Sequence, residues 1–291
     1  MAASASTDPV RRFLDAVSTK ASGDLGRALP TGTTVVASAD REGSTSAVAY
    51  PLADRTIIWC APALAPQLES LDRPDVLTAD QFLAVAAGLG GTFVGMGRCR
   101  VLNTEPKTTS PSGYDLIALD RDNEADRRLL AAFVAACPKV DLEEAELDMD
   151  ELDSAIVVAI APDGSIASYA SGRDWWMDAD FDDVAVITHP DHRGRRLGAV
   201  VVAEFAKQRM SAGRLMFYNC DVANLGSNRV AETVGFELVA NCRRRAIRMI
   251  SRAWSWRTSA RGQTISRGSS TGSSQHSIRS RRRAPPAGRR R

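Results

Sequence analysis

Hydrophobic and polar positions in the first part of the chain alternate in patterns typical of short strands and helices. The helical pattern covers 9–20, and the strand patterns cover 33–37, 46–50, 56–60 and 92–102. Thr78 is placed to cap a further helix over 79–87, because its hydroxyl can accept a hydrogen bond from a free first-turn N–H. We therefore predict a small α/β lobe over residues 1–120.

After a linker rich in Thr, Ser, Pro and Gly (103–113), the patterns become clearer. Continuous apolar runs predict buried strands, and apolar residues spaced three to four apart predict helices. In chain order these are a helix over 124–136, strands over 155–161, 166–171 and 184–188, a helix over 195–211, a strand over 215–220, a helix over 225–234 and a last strand from 236. The fold class is α/β, with one mixed sheet in a domain over 121–250.

Charge is divided unevenly along the chain. Fifteen of the 37 basic residues lie between Asn241 and the end, where no acidic residue occurs. The other 22 share residues 1–240 with all 35 acidic residues, a net charge of −13. We expect a disordered Arg- and Ser-rich tail over 251–291 that touches nucleic acid weakly at most. A frame-shifted read-through is an alternative origin for this tail.

Several classes of protein do not fit the sequence. The start has no apolar segment of a secretory signal, and the most apolar long window, 83–97, is too short to span a bilayer. We expect a cytoplasmic protein without a membrane partner. The five cysteines and three histidines have no metal-ligand spacing, so we expect no metal. The run from Gly88 to Gly97 lacks the spacing of a dinucleotide-binding loop.

The most informative segment is Thr188 to Phe205, where a predicted buried strand enters a loop that opens a helix. The first N–H groups of a helix have no internal partner and carry the positive end of its dipole. Gly194 and Gly198 would let a phosphate approach those groups. Additional positive charge comes from Arg193, Arg195 and Arg196. The segment therefore predicts an anion site.

This loop resembles the acetyl-CoA pyrophosphate loop of the GNAT superfamily, whose pattern is [Q/R]-x-x-G-x-[G/A]. Arg193 matches its first position and Gly198 its last, whereas Arg196 replaces the first glycine. The resemblance implies a GNAT-type, mostly antiparallel sheet flanked by helices and preceded by a smaller lobe, as in some bacterial members. It also implies acetyl-CoA as co-substrate. The loop residues expected to bind it are Arg193, Gly194, Arg195, Arg196, Leu197, Gly198 and Ala199.

A second segment, Asn224 to Phe236, resembles the later family motif N-x-x-[S/A]-…-G-F. The resemblance implies that Asn224 and Ser227 lie beside the pantetheine arm. Ala231 stands where many members carry a tyrosine that is proposed to protonate the leaving thiolate. Tyr218, on the strand expected to flank the acetyl arm, could replace that acid, although a core role is the alternative.

Acetyl transfer to an amine needs a base for the nucleophile and a donor for the thioester oxygen. The resemblance places the donor N–H, and the contact with the thioester, among Val186, Ile187 and Thr188. Some members carry a glutamate 11 residues before the first loop position, which corresponds to Asp182, and Asp183 is the second choice. A solvated turn is the alternative for this Asp pair.

Other candidates near the site have equally plain structural interpretations. His189 has a suitable pKa for a base, but packing against the cofactor explains it as well. Trp175 and Trp176, predicted between two strands, could form the wall of a substrate site or pack in the core.

The function predicted is an acetyl-CoA-dependent N-acetyltransferase that uses direct transfer in a ternary complex. Its acceptor would be a small-molecule or peptide amine, and a homodimer stays open as its assembly. The alternative is a GNAT-fold acyl-CoA-binding sensor or interaction protein with little or no turnover, which the alanine at 231 favours.

Overall fold

The computed structural model describes residues 8–52, 54–70, 75–77, 81, 82, 84, 92–107, 113–147, 149 and 155–246, all within one compact unit. Most of the helix predicted over 79–87, its cap Thr78 and the predicted tail lie outside these residues. Six helices are present among them: α1 Pro9–Leu25, α2 Ala65–Glu69, α3 Glu124–Ala136, α4 Lys139–Glu144, α5 Leu197–Ser211 and α6 Leu225–Val234.

Ten strands form a single sheet in the described part of the chain. Their bounds are β1 Gly32–Ala37, β2 Ser46–Pro51, β3 Arg55–Cys60, β4 Thr92–Val101, β5 Asp115–Leu119, β6 Ile156–Ile160, β7 Ile166–Trp175, β8 Asp178–Thr188, β9 Leu215–Asp221 and β10 Glu237–Ala246. Their order across the sheet is β1-β3-β2-β10-β4-β9-β8-β7-β6-β5. Only β1 with β3 and β8 with β9 are parallel pairs among them. The predicted fold class, a mixed and mostly antiparallel sheet with flanking helices, is confirmed.

Helices cover both faces of the sheet because side chains on each strand alternate between faces. On β8, Val184 belongs to the apolar cluster that contains the buried side of α5 and part of α6. The side chain of Ile187 lies on the other face of β8 and packs with Leu130 and Phe133 of α3. Phe181, on the same face as Ile187, packs with Phe13 of α1. The strand that enters the predicted anion loop is therefore buried on both sides and held firmly.

Local signals in the sequence explain the helix ends that matter for the site. The side chain of Asn123 accepts hydrogen bonds from two first-turn N–H groups of α3, and the Asn224 side chain caps α6. Both helices have the bounds predicted from the sequence. Gly235 ends α6 with a positive φ of 108°, a conformation that favours glycine.

Strands from both ends of the chain alternate at the centre of the sheet. β4 lies between β9 and β10 and is antiparallel to both. β5, which precedes residue 120, pairs with β6. The division into a lobe over 1–120 and a domain over 121–250 therefore stays a prediction about independent folding, since four pairs of hydrogen-bonded strands cross this boundary.

Candidate functional site

A cleft opens where β8 and β9 separate. The two parallel strands are paired only from Phe181 with Leu215 to Asp183 with Phe217. Beyond this point β8 stays paired with β7 as far as Thr188, and β9 stays paired with β4. The space between them is part of a cavity of about 1300 Å³ that also reaches the first turns of α5 and α6. A linear ligand can therefore enter the sheet between two strands.

The free edge of β8 points its backbone groups into this cleft. The N–H of His189 donates to the carbonyl of Ala167 on β7, at 2.9 Å. Hydrogen-bonded and non-hydrogen-bonded pairs alternate in an antiparallel ladder. The N–H groups of Val184, Val186 and Thr188 are therefore turned away from β7 and towards β9. The N–H of Val186 lies in the middle of this free edge.

The predicted anion loop has the backbone of an anion-binding helix start. A single 3-10 turn, Pro190–His192, leads into Gly194, whose φ is 76°. Arg196 precedes α5 with a φ of 63°, in the left-handed region, and no side chain caps the helix. The first N–H groups of α5 are therefore available to a ligand, and the backbone keeps a glycine-like conformation although an arginine stands there.

The three arginines of the loop have different surroundings. Arg196 is exposed and lines the cleft together with Gly194. Arg193 also lines it, and its guanidinium pairs with Asp141 of α4 while its Nε donates to the carbonyl of Thr188 at 3.2 Å. Arg195 instead donates to the hydroxyl of Tyr114, at 2.6 Å, away from the cleft. Two of the three predicted cations therefore face the site.

The residues that follow in the motif are part of the core. Leu197 and Ala199 are buried, and so is Gly198. A Cβ at Gly198 would lie 3.2 Å from Cγ2 of Val230 and 3.3 Å from Oγ1 of Thr188. This glycine therefore lets α5 approach β8 and α6 closely, and a larger residue there would affect packing as well as ligand binding.

The second motif lies on the opposite side of the cleft. Asn224 accepts a hydrogen bond from the N–H of Ser227 at 3.0 Å and donates its amide to Glu144 of α4 at 2.7 Å. Arg229, which the sequence analysis did not single out, also lines the cleft and is exposed. It lies on α6 beside Val230, which also lines the cleft, and the motif N-x-x-[S/A]-…-G-F has no position that marks it.

Helix α4 forms a third wall of the cleft, which was not predicted from the sequence. Its Asp141 holds Arg193, and its Glu144 holds Asn224. Two of the predicted cofactor ligands are therefore engaged by carboxylates of one short helix. A ligand phosphate would have to replace Asp141 at Arg193.

The two candidate bases lie on opposite faces of β8. Asp182 is fully buried and accepts hydrogen bonds from Arg209 and Arg214, each at 2.6 Å. It does not line the cleft, whereas the half-buried Asp183 does. Burial raises the pKa of the buried Tyr50 phenol, and the negative charge of Asp183 adds to the rise. Asp182 as the base therefore stays a prediction, while its pairing with two arginines outside the cleft makes Asp183 the better placed of the two.

His189 and the two tryptophans do not line the cleft. His189 accepts a hydrogen bond from the N–H of Asp191, and its ring lies 6.5 Å from that of Phe133. Trp175 is the last residue of β7, not a loop residue, and it stacks on Phe217 with ring centroids 4.6 Å apart. Trp176 is 45% exposed beside Lys20. These residues have the surroundings of packing and surface groups.

A comparison with protein families agrees with the motif positions. Residues 175–245, which contain both motifs, match the family model described as FR47-like protein. The resemblance to the GNAT superfamily is thereby confirmed. No curated protein shows significant similarity to the chain.

Solved structures with similar folds include three GNAT proteins. A GCN5-related N-acetyltransferase from Kribbella flavida is 19% identical, covering 56% of this chain and 62% of its own, with a TM-score of 0.42. One from Sphaerobacter thermophilus is 16% identical, covering 59% and 57%, with a TM-score of 0.44. An acetyltransferase from the GNAT family of Colwellia psychrerythraea is 14% identical, covering 65% and 76%, with a TM-score of 0.43. The chain thus spans less than two thirds of the first two.

Two further findings concern the described residues alone. They contain no group of three His, Cys, Asp or Glu side chains arranged to hold a metal ion. Of the helices in the part of the chain that the structure describes, none is both long and apolar enough to cross a membrane.

Proposed function

We propose that this GNAT-type chain is an acetyl-CoA-dependent N-acetyltransferase that transfers the acetyl group directly to an amine in a ternary complex. The observation that carries the proposal is the opening between β8 and β9 next to an uncapped helix start with two arginines. A coenzyme's phosphates would bind at one end of this cleft, and its thioester would reach the strand edge at the other.

Different residues of the cleft would bind different parts of the coenzyme. Phosphate oxygens would accept hydrogen bonds from the first N–H groups of α5 and from Arg193 and Arg196. The pantetheine arm would run along the free edge of β8 towards Val186, with Asn224 and Ser227 on its other side. This placement uses only groups that line the cavity.

The reaction would then take place where the strands separate. Asp183 would accept the proton of the acceptor amine, and the amine nitrogen would attack the thioester carbon. The N–H of Val186 would donate to the oxygen as negative charge develops on it. Collapse of the resulting tetrahedral intermediate would break the C–S bond and leave the electron pair on sulfur. The amide product and coenzyme A would then leave the cleft.

Two neighbouring arginines give a matched binding test. Arg196→Ala removes a guanidinium from the cleft, whereas Arg195→Ala removes the same charge from a side chain that bonds to Tyr114 outside it. A lost hydrogen bond to a charged group costs about 1.5–3 kcal/mol. Calorimetric titration with coenzyme A should therefore show Kd about 10- to 100-fold higher for Arg196→Ala and nearly unchanged for Arg195→Ala. Equal affinities in both variants would place the phosphates elsewhere.

A sensor that binds acyl-CoA without turnover is the second candidate, and the buried Ala231 favours it because the family's tyrosine is missing. Release of free thiol from acetyl-CoA in the presence of a panel of amines separates the two. Thiol release that depends on an amine supports the transferase. Binding of acetyl-CoA with no release for any amine supports the sensor.

A further inference from the structure

Tyr218 lies at the point where the cleft opens. Phe217 is the last residue of β9 paired with β8, and Tyr218 is the next residue along the strand. Its side chain is only 1% exposed, yet it lines the cavity. Its ring packs against Phe236, with centroids 5.2 Å apart. A buried side chain on a central strand is held in one position, as a group that acts on a ligand must be.

The hydroxyl of Tyr218 has a defined partner on α6. It lies 2.7 Å from the Oγ of Ser227, and either oxygen can be the donor. Ser227 is half-buried and also lines the cavity. The serine can therefore donate to the phenol oxygen while the phenol donates to a ligand, which forms a two-step path for a proton.

Ala231 lies on the same side of α6 as Ser227, because residues four apart are neighbours on a helix surface. Ala231 is fully buried and belongs to the same apolar cluster as Tyr218. Position 231 therefore has no hydroxyl group to donate. The phenol of Tyr218 reaches this side of α6 from the strand instead of from the helix.

The protonation state of Tyr218 suits a donor. Burial raises the pKa of its phenol, and the hydrogen bond with Ser227 opposes the rise only in part. The phenol therefore keeps its proton at neutral pH. Cys220, two residues along the same strand, also lines the cleft, but burial raises the pKa of its thiol, so it is not poised as a thiolate nucleophile.

On the basis of the transferase function proposed above, we propose that Tyr218 is the general acid that protonates the leaving thiolate of coenzyme A. When the C–S bond breaks, the Tyr218 O–H proton moves to sulfur and gives the thiol. The phenolate takes the hydroxyl proton of Ser227, which recovers a proton from water in the cleft. The hydroxide left by that water takes the proton that the amine gave to Asp183, so protons and charge balance over the cycle.

Removing a single oxygen tests this role. Tyr218→Phe should lower kcat by roughly 10²-fold, the lower end for a general acid, while KM for the amine and Kd for acetyl-CoA stay within about twofold. Ser227→Ala should give a smaller fall. Tyr169→Phe is the matched control, since Tyr169 is also fully buried but packs with Leu130 and Phe133 on the other face of the sheet. Its kcat should equal that of the wild type.

A binding measurement decides the matter without turnover. Hydrogen-bond donation from Tyr218 would stabilise the thiolate of bound coenzyme A. The pKa of the bound thiol should therefore be lower in the wild-type complex than in the Tyr218→Phe complex, by roughly one unit. This pKa can be measured from the ultraviolet absorbance of the thiolate as a function of pH. An equal thiol pKa together with wild-type kcat in Tyr218→Phe would overturn the role of Tyr218 alone. A wild-type protein that binds no coenzyme A would overturn the proposed function and this assignment together.

Discussion

Arg196 stores backbone strain at the start of α5, and its replacement by glycine should stabilise the protein. Its φ of 63° lies in the left-handed region, where an L-residue costs about 1–2 kcal/mol because its Cβ approaches the following carbonyl oxygen. Glycine avoids this clash but gains more freedom in the unfolded chain, which offsets about 0.4–1 kcal/mol. Arg196→Gly should therefore raise the free energy of unfolding by about 0.5–1 kcal/mol.

Arg196→Ala separates strain from charge, because alanine removes the guanidinium and keeps the Cβ. Arg196→Gly should melt about 1–4 °C above Arg196→Ala in a thermal scan of the free protein. The two variants should lose the same affinity for coenzyme A, since both lack the same charge. Identical melting temperatures would refute the strain argument. A glycine variant that binds much more tightly than the alanine variant would show that backbone strain, not charge, controls binding.

Two further pairs of variants test the walls of the cleft. Asp141→Asn should tighten coenzyme A binding about two- to fivefold, because Arg193 is freed from an exposed ion pair. Glu143→Gln removes the same charge from α4 but from a residue paired with Lys139, and it should change the affinity less in the same titration. Asp182→Asn should lower the free energy of unfolding by about 2–4 kcal/mol in a urea titration, since it leaves Arg209 and Arg214 without their buried partner. Asp183→Asn should instead leave stability nearly unchanged and lower kcat by roughly 10²-fold or more, and the opposite pattern would return the base to Asp182.

The elements with strong periodicity and clear end signals were predictable from the sequence. The helices Glu124–Ala136 and Leu225–Val234 have the predicted bounds because an Asn caps each start. β5, Asp115–Leu119, was missed because it is a short, largely exposed strand at the edge of the sheet and has no clean alternation. β7 extends past its predicted end at 171 and β8 begins before its predicted start at 184, because Trp175 and Phe181 bury apolar rings beyond the apolar runs.

The strand, loop and helix start that carry the predicted anion site could be located from the sequence because they follow one another directly, with the two glycines and the arginines between them. The choice of base stays a prediction, since neighbouring strand residues point to opposite faces and a count of one residue decides between Asp182 and Asp183. The contacts of Arg193 with Asp141 and of Asn224 with Glu144 join segments 52 and 80 residues apart in the chain. No local pattern marks such contacts, so the role of α4 as a wall of the cleft emerged only from the structure.

β4 links the first part of the chain to the cleft. It pairs with β9 from Val101 opposite Phe217 to Gly97 opposite Asp221, and so supports the strand that carries Tyr218. Its Arg100 is buried and donates to Glu232 of α6 at 3.3 Å. A buried cation bridging β4 and α6 fixes the helix that holds Asn224 and Ser227. The first part of the chain therefore contributes to the position of the second motif, and β9 without β4 would expose an open strand edge beside the cleft.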